Sequence, residues 1–146
     1  RPDAHLWASD RSLPALRVAR LNAQRHSVAS RITLWAGDLL RPLRGPVGLI
    51  LSNPPYIAQA TWTALPRSVR HEPRMVLLSG PDGLYAIRRL LEQAAQRLAA
   101  PGAAYVEIGD RQGDAARASA RAAFPCADIA ILPDLAGKDR VLQIIR

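Results

Sequence analysis

The run Val47-Gly48-Leu49-Ile50-Leu51-Ser52 is apolar almost without interruption, and Asn53-Pro54-Pro55 cuts it off. A strand with one wet face alternates apolar and polar residues. A strand covered on both faces has no such need, so this run is expected to lie in a parallel sheet and to be buried on both sides. The rest of the chain fits around such a sheet. His5 to Ser9 reads as a short strand ending at Asp10. Ser12 is placed to cap a helix with Pro14 in its first turn, running to about His26. Arg31 to Ala36 reads as a strand closed by Gly37-Asp38. Further on come a helix over Gly83 to Ala100 stopped by Pro101-Gly102, a strand over Ala103 to Ile108 and a helix over Asp110 to Phe124. Strands over Ala127 to Pro133 and Arg140 to Ile145 complete the chain. Strands alternating with helices predict an α/β fold. Between them, residues 57–82 are irregular, proline-punctuated and hold Trp62, His71 and Glu72. A loop of that length in a small domain is usually functional.

With 146 residues, 49% of them apolar, the chain can fill one core. No run approaches the roughly 18 apolar residues of a membrane helix, and Arg1 to His5 lack the apolar stretch of a signal peptide. A soluble, cytoplasmic protein without membrane contact is the expectation. Cys126 is the one cysteine, which excludes an internal disulfide and a cysteine metal cluster. The net charge of +8 is nearly all arginine, Lys138 being the one lysine. Such a balance suits contact with nucleic acid. Stretches such as Ala115-Ala116-Arg117-Ala118 read equally well as a solvated helix face. No Gly-x-Gly loop that would cradle a cofactor occurs; Gly80-Pro81-Asp82-Gly83 comes nearest and reads as a turn.

The chemistry is concentrated in Asn53-Pro54-Pro55-Tyr56. Each proline fixes its own φ, offers no N–H, and pushes the residue before it out of the helical region. Asn53 and Pro54 are thus held extended where the strand leaves the sheet. There the Pro54 carbonyl and the Asn53 side-chain oxygen are placed as two convergent acceptors. Two acceptors hold an NH2 group by both hydrogens and leave its nitrogen lone pair aimed outward, toward an electrophilic methyl. Tyr56 is placed to lie flat on the planar group that carries the NH2. The position also suits a ligand, since open α/β sheets bind outside the carboxyl ends of their strands. These residues point to an S-adenosylmethionine-dependent methyltransferase acting on an amide or amino nitrogen.

Acidic residues stand at two other strand ends. Asp10 is placed to accept ribose hydroxyls, and Asp38 to accept from an adenine amino group with Leu39 packed on the ring. His71-Glu72 has no second histidine at helical spacing, so no metal site is expected, and Glu72 reads as a structural or substrate-orienting residue. Glu107, inside an apolar strand, is expected to be a buried carboxylate with a partner, or one at the strand's carboxyl end.

Several segments together resemble the catalytic domain of the HemK/PrmC family, the release factor glutamine methyltransferases. They are Trp7-Ala8-Ser9-Asp10, Gly37-Asp38-Leu39-Leu40, Ser52 to Ile57, His71-Glu72-Pro73-Arg74, Gly80 to Leu84, Glu107-Ile108-Gly109 and Asp134 to Arg140. The resemblance implies a Rossmann-like class I methyltransferase sheet of seven strands with the last strand antiparallel. It implies S-adenosyl-L-methionine as cofactor and a class I peptide chain release factor as protein substrate. By position, Asp10 would bind the cofactor's ribose, Asp38 and Leu39 would border its adenine, and Asn53 would border the cofactor as well. Asn53 and Pro54 would hold the target glutamine amide, with Tyr56 against it and Pro55 completing the acceptor-binding turn. The family's first strand and Gly-rich loop have no counterpart in these residues. Residues 1–146 are therefore expected to be a partial catalytic domain whose first strand would lie between the strands ending at Asp10 and at Asn53. The competing readings are an adenine-specific DNA or RNA methyltransferase, which shares Asn-Pro-Pro-Tyr, and a truncated, non-catalytic remnant.

Overall fold

A computed structural model describes residues 3–66, 71 and 74–146. The chain divides into two compact units, Arg1–Gly45 and Pro46–Arg146.

The first unit is a β-α-β hairpin. β1 (Leu6–Asp10) pairs in parallel with β2 (Ile32–Ala36), and Asp10 lies opposite Ala36. The crossover is α1 (Leu13–Arg25), whose start is written in the sequence. Ser12 stands at the N-cap in an extended conformation, its hydroxyl accepts from the Ala15 N–H at 3.2 Å, and Pro14 fills the first turn. Little of this unit is covered. Leu6, Trp7, Leu13, Val18 and Leu21 all stand exposed.

The second unit holds a four-stranded sheet in the order β3-β4-β6-β5. β3 (Val47–Ser52) runs parallel to β4 (Leu98–Glu107), whereas β6 (Asp139–Ile145) is antiparallel both to β4 and to β5 (Asp128–Pro133). The antiparallel last strand agrees with the expectation. α2 (Arg74–Leu77) is a single turn, and α3 (Tyr85–Arg97) and α4 (Gly113–Ala123) are the two long helices. Ile87, Leu90, Leu91 and Ala94 of α3 recur at helical spacing and are buried, as are Ala116 and Ala120 of α4. Val106 of β4, Leu142 and Ile144 of β6 and Ile108, just past β4, are buried as well. Truncating a side chain as enclosed as Leu142 to alanine costs about 2–5 kcal/mol. The Ala–Arg pattern of α4 resolves into this buried small-residue stripe with Arg121 in solvent.

Two expectations are corrected. β3 forms where predicted, yet only Ile50 of it is buried; Leu49 and Leu51, on the opposite face, are 54% and 71% exposed. Among the described residues β3 pairs on one side only, so it is an edge strand covered on one face. The α3 helix stops at Arg97, not at Pro101-Gly102, because Leu98 already pairs with Val47 and begins β4. Pro101 and Gly102 lie inside that long strand, at a shift of register where Leu49 pairs with Ala103. Within the stretch read as irregular, Gln59–Ala64 forms 3-10 turns.

Candidate active site

The sheet of the second unit delivers Asn53 to Tyr56 at the carboxyl end of β3, beside the carboxyl end of its parallel neighbour β4, where Ser52 lies opposite Val106. Asn53 is exposed, Pro54 is buried, and Tyr56 is half-buried. The Asn53 side chain makes no hydrogen bond to any described residue, nor does the Pro54 carbonyl. Among the described residues the two expected acceptors are thus both uncommitted. Neither proline has an N–H to give, so the turn is held from its far end.

That far end is tightly tied. The Tyr56 hydroxyl donates to Oε1 of Glu107 at 3.2 Å, which supplies the partner expected for that carboxylate; Glu107 is half-buried rather than buried and is the last residue of β4. Burial raises the Tyr56 phenol pKa above its ordinary value, and the negative charge and hydrogen bond of Glu107 add to the effect; Arg140 opposes it. The Tyr56 carbonyl accepts from Nε2 of Gln112 at 2.9 Å. Ile57 bonds through both backbone groups, its N–H to the Leu77 carbonyl and its carbonyl to the Ser79 N–H, each at 2.9 Å.

Gly80-Pro81-Asp82-Gly83 is the turn it was read to be, with φ of +80° at Gly80 and +78° at Gly83. It also starts α3. Asp82 accepts from the Leu84 N–H at 3.0 Å, and the buried Ser79 hydroxyl accepts from the Ala86 N–H at 2.7 Å. Asp82 further pairs with Arg88 at 2.6 Å, and this hydrogen bond holds its carboxyl below the usual range.

The segment Asp134 to Arg140 closes the end of the β5–β6 hairpin. Oδ1 of Asp134 accepts from the N–H groups of Ala136 and Lys138 at 2.9 and 3.0 Å, and Oδ2 pairs with Arg140 at 3.2 Å. The Lys138 N–H, foremost, keeps the Asp134 pKa low. Arg140 spans from this turn to the Ile108 carbonyl at 3.4 Å, which places its positive charge near Glu107 and Tyr56. Sequence reasoning found the ends of this network but missed Gln112; its one signal was a polar residue two positions past Asp110 at the helix start.

In the first unit, Asp10 is the last residue of β1 and Asp38 follows the adjacent carboxyl end of β2, the two strand ends tied by a bond from the Gly37 N–H to the Asp10 carbonyl at 3.0 Å. Oδ1 of Asp10 accepts from the Ser12 N–H at 2.7 Å, and its other oxygen meets no described partner. Leu39 has a φ of +54° and its carbonyl accepts from the Ser9 hydroxyl. Glu72 and Pro73 lie outside the described residues; His71 is exposed, and Arg74 stacks on Trp62 with 5.0 Å from its guanidinium carbon to the ring centre. No group of three or more His, Cys, Asp or Glu among the described residues could hold a metal ion. No helix there is long and apolar enough to cross a membrane.

No family model matches the chain. It is 46% identical over 146 residues to the release factor glutamine methyltransferase of Moorella thermoacetica, covering 99% of this chain and 52% of that protein. It is 36% identical over 151 residues to the ribosomal protein uL3 glutamine methyltransferase of Burkholderia pseudomallei, covering 98% of this chain and 48% of that one. The chain thus spans about half the length of the curated relatives it matches. Among solved structures, a methyltransferase from Pyrococcus furiosus superposes with a TM-score of 0.68 at 15% identity, covering 97% of this chain and 62% of that one. A ribosomal protein L11 methylase from Lactobacillus delbrueckii subsp. bulgaricus gives 0.65 at 19%, covering 97% and 57%. At those identities the likeness is one of fold, and the fold is the Rossmann-like one of class I methyltransferases. The family resemblance carried by the motifs is matched by the names of the relatives.

Proposed function

We propose that this chain, a relative of the release factor glutamine methyltransferases, serves in methyl transfer from S-adenosyl-L-methionine to the side-chain amide nitrogen of a glutamine in a class I peptide chain release factor. The observation that carries the proposal is a pair of acceptors uncommitted among the described residues, the exposed Asn53 side chain and the Pro54 carbonyl, at the carboxyl end of β3.

An amide nitrogen is a poor nucleophile because its lone pair is shared with the carbonyl. Asn53 and Pro54 would accept one N–H each and so turn the lone pair toward the methyl. As the N–C bond forms, the nitrogen becomes positive and its hydrogens more acidic, so both acceptor bonds strengthen toward the transition state. Tyr56 would pack on the amide plane, with Pro55 stiffening the turn between them. Bound S-adenosyl-L-methionine supplies a methyl carbon on a positively charged sulfur. In the transfer the amide nitrogen would take that methyl and give up one proton to water, the sulfur keeping the electron pair of its former bond to the methyl. Asp10, with a carboxylate oxygen that no described residue engages, suits the ribose hydroxyls, and Asp38 with Leu39 suits the adenine. A release factor substrate places the work in the cytoplasm.

Incubating the full-length protein with labelled cofactor and, separately, a release factor, ribosomal protein uL3 and nucleic acid tests the substrate. Label on a release factor glutamine is expected; label on uL3 or nucleic acid alone would overturn it. Asn53→Ala is expected to lower transfer about 100-fold or more, as removal of a preorganised transition-state partner does, while cofactor affinity stays within a few-fold. A variant that loses cofactor binding instead would contradict the role given to Asn53.

A further inference from the structure

We infer that Gln112 is a positioning residue for methyl transfer: its side-chain amide pins the Tyr56 carbonyl and thereby aims the Asn53–Pro54 acceptor pair. This deepens the function proposed above and depends on it.

Gln112 uses its whole amide to join three segments that are distant in sequence. Oε1 accepts from the Gly109 N–H at 2.8 Å, just past β4. Nε2 donates to the Tyr56 carbonyl at 2.9 Å and to the Asp82 carbonyl at 3.3 Å. With Oε1 committed to an N–H, the orientation of the amide is set, and both N–H groups must face carbonyls. A β-carbon on Gly83 would come within 2.3 Å of the Tyr56 carbonyl oxygen and 2.6 Å of Nε2 of Gln112. The turn is therefore kept open for this contact.

Pinning that carbonyl matters because of the prolines. Between Asn53 and Tyr56, φ of Pro54 and of Pro55 is fixed by the rings. Of the torsions between the Pro54 carbonyl and the Tyr56 peptide, φ of Pro55 is locked by its ring, so part of any tilt of that peptide is passed back to the Pro54 carbonyl. No other described residue bonds to the Tyr56 carbonyl, and none bonds to the carbonyls of Pro54 or Pro55. The side chain of Tyr56 is tied separately, by its hydroxyl to Glu107. The same peptide unit is held on its other side by the Ile57 N–H, which donates to the Leu77 carbonyl at 2.9 Å; among the described residues Gln112 is the side chain that bonds to the backbone of the turn.

Gln112→Glu in the full-length protein keeps the shape of the side chain and its acceptor toward Gly109, but turns an oxygen toward two carbonyl oxygens. Gln112→Met removes the bonds without adding charge. The expected result for both, assayed well below their melting temperatures against a release factor, is a fall in kcat of tenfold or more. The rate is taken per site titrated calorimetrically with S-adenosyl-L-homocysteine. The affinity for that ligand should stay within about threefold. A residue that merely supported folding would reduce the number of titratable sites and the melting temperature while leaving kcat per site unchanged, and that outcome in either variant overturns the inference. Should Gln112→Glu fail to fold, Gln112→Met decides. If the unaltered protein methylates no release factor, the proposed function has failed. If it does and the variants keep their turnover per site, the role of Gln112 alone has failed.

Discussion

Gly83→Ala and Gly137→Ala form a matched pair, because the two glycines share a backbone conformation and differ in what surrounds them. φ is +78° at Gly83 and +76° at Gly137. An alanine in that left-handed region costs about 1–2 kcal/mol relative to glycine. At Gly137 nothing lies within 4 Å of the added β-carbon, so that cost is the whole effect. At Gly83 the new carbon would meet the Tyr56 carbonyl oxygen at 2.3 Å, Nε2 of Gln112 at 2.6 Å and the Ala58 nitrogen at 3.1 Å. Two of these are backbone atoms held by neighbouring structure. Crowding of this kind costs about 1–3 kcal/mol, and if Gln112 yields, each of its hydrogen bonds lost removes about 1 kcal/mol more. Gly83→Ala should therefore destabilise by about 3–5 kcal/mol, some 2–3 kcal/mol more than Gly137→Ala. Urea denaturation of both variants, with the slope unchanged from the parent, measures the difference. If the two cost the same within ~0.5 kcal/mol, the packing of the Tyr56 carbonyl against Gln112 is not as described, and the positioning role of Gln112 loses its support.

Two further outcomes follow from the charged network. Tyr56→Phe removes the bond to Glu107 and should cost about 1 kcal/mol, with little loss of turnover because the ring remains. Since burial and Glu107 raise the phenol pKa above 10.0, the stability linked to its proton is present below pH 10 and lost as the pH rises through the folded-state value. A spectrophotometric titration should show a late-ionising component that Tyr56→Phe abolishes; a variant that keeps that component would contradict this. The opposite sign applies at Asp134, whose pKa is held below 3.8 by the Lys138 N–H and by Arg140. Its contribution is present above pH 3.8 and fades as the pH falls through the lower folded-state value. Asp134→Asn should therefore lower the urea midpoint at neutral pH by an amount that shrinks under strong acid. A gap that stays constant would refute the assignment.

What the sequence made legible were the features governed by local rules. Ser12 and Pro14 announced the start of α1, and Gly80 and Gly83 announced a turn, because caps and left-handed positions select their residues without help from the rest of the chain. The burial of β3 was misjudged because an apolar run records the faces a strand is able to bury, not its place at an edge of the described sheet. The end of α3 was misjudged because the pairing of Leu98 with Val47, fifty-one residues away in sequence, overrode the proline that seemed to mark it. Gln112 was invisible for a related reason. A lone glutamine at a helix start is unremarkable until Tyr56, Asp82 and Gly109 are brought around it by the sheet.

The polar residues of the second unit's motifs fall into two kinds. Tyr56, Asp82, Glu107, Gln112, Asp134 and Arg140 each have a named partner within the protein. The Asn53 side chain and the Pro54 carbonyl have none among the described residues, though they lie in the same cluster. Asn53 is exposed, so water satisfies it in the free protein, and its exchange of water for a substrate N–H is close to neutral. The Asn53 side chain would therefore add little to ground-state binding. On the proposed function its advantage would appear only as the bound nitrogen turned positive, in a place whose geometry the satisfied residues have already fixed and which would therefore need no reorganisation. That division predicts how substitutions separate. Changes at Asn53 should act on turnover and leave stability within about 0.5 kcal/mol, as exposed surface positions do. Changes at Tyr56, Asp82 or Arg140 should appear first in stability. An Asn53 variant that lost stability in proportion to activity would mean that the asparagine holds the turn together, and the acceptor role would have to pass to another residue.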